Sequence, residues 1–176
     1  MHKNLPKIYY FIDTFNKDHI SKLNKNIAII FRNYNKKYDR SLIKKIKIFC
    51  KSKNRKFLLA NNVKLAFKLR LDGAYLPSFN KSFKINLYPK KKNFILLGSA
   101  HNIKEIKIKE KQGVHAIFLS SLFNRKKNYL GLRKFKLLTK LTNKKIIALG
   151  GINNINYKKL KLLNLYGFAG ISYFKK

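Results

Sequence analysis

The 176-residue sequence predicts an α/β fold: eight strand–helix units closing into a compact (β/α)8 TIM barrel, one domain over residues 1–176. Three observations predict it. Eight short apolar runs recur along the chain. They are continuous rather than alternating, as in a parallel sheet buried on both faces. Between most of them lie Lys-rich segments whose apolar residues have helical spacing. The alternative is an open doubly wound sheet with fewer strands, because about 250 residues is typical of the eight-unit barrel.

The elements follow in order. KIYYFID (7–13) and NIAIIFR (26–32) are the first two strands. SLIKKIKIFCKS (41–52) is a helix with Leu42, Ile43, Ile46 and Phe49 on one face. KFLLA (56–60) is the third strand, and VKLAFKLRL (63–71) a helix burying Val63, Leu65, Ala66 and Leu69. GAYLP (73–77) is the fourth strand. SFNKSFKINLYPKKKN (78–93) has no amphipathic pattern and is expected to be irregular. FILLGS (94–99) is the fifth strand. In the following helix Asn102 and Glu105 are spaced as a capping box, and Gly113 suits its C-terminus. AIFLSS (116–121), KIIALGG (145–151) and GFAGISYF (167–174) complete the strands, with helices expected at RKFKLLTKL (133–141) and NYKKLKLLN (156–164).

Composition narrows the function. Lys and Arg number 42 against 6 Asp and Glu, a net charge of +36, which attracts anions such as nucleic acid or phosphorylated small molecules. The abundance of Lys, Asn, Ile, Phe and Tyr is also what AT-rich codons write, and the lysines are spread along the chain as on a solvated surface. Neither accounts for the scarcity of acids. No apolar run reaches the roughly 18 residues of a membrane span. MHKNLPKIYYFIDTFN lacks a signal-peptide layout, and the lone Cys50 excludes a disulfide framework, so a cytoplasmic location is expected. The four His (2, 19, 101, 115) have no metal-ligand spacing, and no Ser-His-Asp set is visible.

In such a barrel the functional groups sit at the C-terminal ends of the strands, and the last two strands often carry a phosphate site. Gly150 and Gly151 close strand seven, and Gly170, Ile171 and Ser172 lie on strand eight. Glycine lets a phosphate approach backbone N–H groups, so Gly150, Gly151, Ile171 and Ser172 are the candidate phosphate cradle.

LLANNVKLAFKLRLDGAYLP (58–77), ILLGSAHNIKEIKIKEKQGVHAIFLSSLFNRKKNYLGLRKF (95–135), IIALGGI and GFAGIS together resemble one family in order and spacing, over about residues 57–174. This is the family of thiamine phosphate synthases and their thiazole tautomerase relatives. The resemblance implies coupling of hydroxymethylpyrimidine diphosphate with a thiazole phosphate, giving thiamine phosphate and diphosphate. It also implies Mg2+ as a possible cofactor. Carried over by position, Arg32 and Ser99 would face the diphosphate as catalytic groups. Asn61, Asn80, Ser120, Arg125 and Lys126 would contact substrate.

The departures are informative. Asn61 and Asn80 stand where the family has Mg2+-binding Asp, so no metal ligand is assigned. Ala60 replaces the preceding Asn, and Tyr34 stands two residues after Arg32, where the family has Lys. Ser121 stands where the tautomerase has its catalytic His. Among the six acids, Asp13 ends a strand, while Asp72 and Glu105 read as structural. Two alternatives remain: a non-catalytic barrel binding a thiamine-related phosphate, and a basic nucleic-acid-binding protein. Non-specific polyanion binding is expected in either case; no membrane association is, and the oligomeric state is left open.

Overall fold

The computed structural model describes residues 5–34, 39–88, 93–125 and 128–174. Eight parallel strands close into a barrel in chain order: β1 (Ile8–Ile12), β2 (Ile27–Phe31), β3 (Phe57–Ala60), β4 (Gly73–Leu76), β5 (Ile95–Ala100), β6 (Ala116–Leu119), β7 (Lys145–Ala148) and β8 (Gly167–Gly170). Closure is by β1, which pairs with β2 and, through Tyr10↔Gly170, with β8. All eight apolar runs are thus strands, and the open sheet is excluded. Closure also removes free sheet edges.

The interior is filled by large against small residues. Tyr9, Phe11, Tyr75 and Phe118 point inward, with ring centroids 5.1 to 5.6 Å apart in edge-to-face contacts. Ala28, Ala60, Ala116 and Ala169 in the same inner cluster leave room for them. Each such ring pair adds about 0.5–1.5 kcal/mol beyond area burial. This aromatic plug forms the floor under the C-terminal end.

The outer core lies between strands and helices. The helices are α1 (Lys17–Ser21), α2 (Arg40–Ser52), α3 (Val63–Lys68), α4 (Ile103–Lys111) and α5 (Gly131–Thr139). On α2, Ile43, Ile46, Phe49 and Cys50 are buried. On α3, Leu65 and Ala66 are buried, and Val63 and Leu69 pack partly buried against the core. Asn102 caps α4 by accepting from the Glu105 N–H at 2.9 Å, and Gly113 follows with φ +72°. The returning bond of the expected capping box shifts by one residue: the Glu105 carboxylate takes the His101 N–H at 2.7 Å.

Two expectations are corrected, and a third holds. The segment 156–164 is a 3-10 helix (Tyr157–Leu162), not an α-helix. Asn153 and Asn156 bond locally: Asn153 Oδ1 accepts from the N–H groups of Ile155 and Asn156, and Asn156 Oδ1 from Asn153 N–H. Strand β7 ends at Ala148 and β8 at Gly170, so the Gly pair and residues 171–174 form turns, Phe174 N–H donating to the Ile171 carbonyl at 3.1 Å. The described part of the stretch 78–93, residues 78–88 and 93, is irregular apart from one 3-10 turn (Lys84–Leu87), as its sequence implies.

Candidate functional site

The C-terminal face carries two groups of residues. The first spans the ends of β2 to β5. Arg32 follows β2; its N–H donates to the Ile12 carbonyl at 2.7 Å, and its guanidinium lies over the Phe11 ring at 5.0 Å. The ring therefore holds the cation at the barrel mouth. Ser99, near the end of β5, is 4% exposed, and its Oγ accepts from the Tyr75 hydroxyl at 2.8 Å. That bond leaves the Ser99 proton free to donate upward. Burial raises the Tyr75 pKa, opposed by the Ser99 bond and the Arg32 charge, so Tyr75 stays a neutral donor.

Asn61 and Asn80 come together. Asn80 Nδ2 donates to Asn61 Oδ1 at 2.7 Å. Asn61 adopts φ +53°, which Asn tolerates better than most residues, and its N–H donates to the Tyr75 carbonyl at 2.8 Å. A cleft of about 180 Å³ adjoins the pair, lined also by Ser82 and Lys84.

The second group spans β6 to β8. Gly150 and Gly151 have φ of +101° and +74°. A Cβ on Gly150 would lie 2.4 Å from Ser121 Oγ, and one on Gly151 2.6 Å from Asn124 N. The glycines are therefore demanded by the loop packed behind them, rather than only by room for an anion. The loop is tied to the turn by Leu122 N–H to the Leu149 carbonyl and Phe123 N–H to the Gly150 carbonyl. Among the described residues, no acceptor takes the N–H groups of Gly150, Gly151, Ile171 or Ser172. Ser120 is buried at the end of β6, and Arg125 is exposed in the loop beyond it. Lys126 lies outside the described residues.

Between the two groups, a cleft of about 120 Å³ is lined by Phe11, Asp13, Asn16, His19, Arg32 and Ile171, among others. His19 Nε2 is buried there without a hydrogen-bond partner. His101 is held by Glu105 at 2.9 Å and is structural. Sequence reading missed Tyr75 and His19. Tyr75 was recoverable, since period-two alternation puts it on the inward face of its strand. Another cleft, of about 710 Å³, opens at the opposite pole among Lys47, Lys51, Arg55, Arg70 and Asp72. It is remote from the strand C-termini, where barrel sites form.

Among the described residues, no three His, Cys, Asp or Glu are grouped to hold a metal ion, and no helix is long and apolar enough to cross a membrane. Residues 23–174 match the family described as "Thiamine monophosphate synthase". The chain is 32% identical over 142 residues to the "Putative thiamine-phosphate synthase 2" of Aquifex aeolicus, covering 76% of this chain and 73% of that protein. It is 34% identical over 134 residues to the "Thiamine-phosphate synthase" of Pelagibacter ubique, covering 73% and 64%. The thiamine phosphate pyrophosphorylase structure from Pyrococcus furiosus superposes with a TM-score of 0.77 at 18% identity, covering 97% of this chain and 91% of that one, a likeness of fold.

Proposed function

The chain belongs to the thiamine monophosphate synthase family, and from that premise we propose that it couples hydroxymethylpyrimidine diphosphate to a thiazole phosphate. Its function is thiamine-phosphate synthase-like. One observation carries the proposal: a cation and oriented hydroxyls on β2 to β5 share the C-terminal end of the barrel with N–H groups after β7 and β8 that no described acceptor takes, Arg32 and Ile171 lining one cleft. The first set suits a diphosphate and the second a monophosphate.

In the reaction, the bond between the pyrimidine methylene carbon and the diphosphate oxygen breaks, its electron pair leaving with the diphosphate. The thiazole nitrogen lone pair then forms the new C–N bond. Neither step needs a general base. Arg32 and the Ser99 hydroxyl stabilise the negative charge that develops on the leaving group, the Tyr75–Ser99 bond fixing the hydroxyl beforehand. Gly150, Gly151, Ile171 and Ser172 hold the thiazole phosphate, with Ser120 and Arg125 beside it. This places the nucleophile.

Mg2+, which the family resemblance implies, does not fit the residues present. Asn61 Oδ1 already accepts from Asn80, and Asn80 Oδ1 accepts from the Ser82 N–H at 3.1 Å. Both are neutral, whereas Mg2+ sites use carboxylates. No step is routed through the metal.

Residues 1–176 act as one barrel domain in the cytoplasm. Polyanions bind weakly and without sequence preference through the +36 charge, an association that salt screens. The decisive test supplies both phosphorylated precursors and measures thiamine phosphate. Product forming only with both present, and lost in Arg32→Ala, supports the reading. Tight binding of both without product would make the barrel non-catalytic.

A further inference from the structure

We infer that the buried ammonium of Lys109 supplies the fixed positive charge behind the Asn61–Asn80 pair, so that this site holds diphosphate without a divalent metal. The inference rests on the coupling reading above.

Lys109 lies on α4 and is 0% exposed. Its Nζ donates to the Pro77 carbonyl at 2.8 Å, the Asn80 carbonyl at 2.7 Å and Gln112 Oε1 at 2.9 Å. That is the full complement of an ammonium's three donors. Gln112, also buried, donates from Nε2 to the carbonyls of Asn80 and Ser82 at 3.0 and 2.9 Å. The two side chains thus hold the 77–82 loop, which carries Asn80, against α4. The barrel reserves space for this: a Cβ on Gly98 would lie 2.7 Å from Lys109 Cδ.

All three acceptors are neutral. The Glu105 carboxylate, on the same helix, hydrogen-bonds His101 and makes no ion pair with Lys109, its charge favouring the ammonium only from a distance. A buried charge without an ion pair is costly, and carbonyls can be satisfied by an uncharged amide, as Gln112 does beside it. The charge itself is what a neutral side chain would not supply. Its field acts on the Asn80 peptide, whose side chain reaches Asn61 at the edge of the proposed diphosphate subsite. A divalent cation there would face this ammonium with its two candidate amide oxygens already engaged.

The test is calorimetric titration with inorganic diphosphate, in EDTA and in Mg2+, of the wild-type protein and of Lys109→Gln and Lys109→Met, with thiazole phosphate as the second ligand and thermal melts as the folding control. The wild type should bind diphosphate in EDTA no more than about threefold more weakly than in Mg2+. Lys109→Gln and Lys109→Met should lose about tenfold or more in diphosphate affinity and keep thiazole phosphate affinity within about twofold; equal loss of both ligands would mean a merely structural residue. Diphosphate binding that vanishes in EDTA, or folded variants with unchanged diphosphate affinity, would overturn the inference and leave the coupling reading standing. A wild type that binds neither ligand in either condition sinks both. If neither variant folds, Asn61→Asp decides: a carboxylate in the Asn61–Asn80 pair should weaken diphosphate binding in EDTA, and unchanged or tighter binding overturns the proposal.

Discussion

Arg55→Met removes a buried cation from the pole opposite the proposed site. Arg55 precedes β3 and is 4% exposed. Its Nη1 donates to the carbonyls of Asn24 and Ile27 at 2.8 and 2.7 Å, and its Nη2 to those of Ile20 and Leu23 at 3.3 and 3.1 Å. The guanidinium therefore staples the end of α1 and the lead into β2 onto the start of β3. Burial lowers its pKa, but an Arg stays charged. Hydrogen bonds to charged groups are worth about 1.5–3 kcal/mol each. The two short bonds alone would give about 3–6 kcal/mol. Against this stand the desolvation relieved by removing the charge and the buried Nε, which has no partner. The net expectation is a loss of about 2–4 kcal/mol, or roughly 4–16 °C in Tm for a chain of this size. Urea unfolding measures it, with diphosphate titration as the control for the distant face. Arg55→Lys, with one point donor group, should recover only part of the loss. A loss under about 1 kcal/mol, or a parallel fall in diphosphate affinity, would refute the assignment of this pole to stability alone.

Three further outcomes are expected. Burial pushes the Lys109 pKa down from 10.5 to about 8, so between these values the unfolded chain binds the proton more tightly. Stability should therefore rise as pH increases from about 8 to 10.5, by up to about 3 kcal/mol from this group, and urea midpoints of Lys109→Met should lack that increment. Gly151→Ala forces a side chain into φ +74° and against Asn124 N, and should cost about 2–3 kcal/mol; the loss appears in urea unfolding, and a change under about 0.5 kcal/mol would mean the turn is built differently. Tyr75→Phe should lower the coupling rate about tenfold with the KM for thiazole phosphate unchanged, because Ser99 loses the bond that orients its proton; steady-state kinetics with equal losses for both substrates would contradict that role.

What the sequence discloses follows from what each signal depends on. The strands are legible because a parallel barrel strand is buried on both faces and reads as an uninterrupted apolar run, whatever the rest of the chain does. The same property blurs their ends. Leu149 and Ile152 remain apolar after β7 because loops pack on them, not because the ladder continues. The 3-10 segment at Tyr157–Leu162 is hard to tell from an α-helix for a related reason: its apolar spacing is helical, and spacing alone does not fix which carbonyl each N–H takes. Arg32, Asn61 and Ser99 are legible as candidates for the proposed site because each stands at or next to a strand C-terminus, which the barrel turns toward one face. Lys109 is different. On α4 it is one lysine among many, in a helix flanked by Lys107 and Lys111. Its burial depends on Gly98, eleven residues earlier, and on the 77–82 loop, about thirty residues earlier. No local window contains those three facts together. In a chain of net charge +36, the abundance of lysine hides the buried one, since composition counts cations and only packing decides which of them water cannot reach.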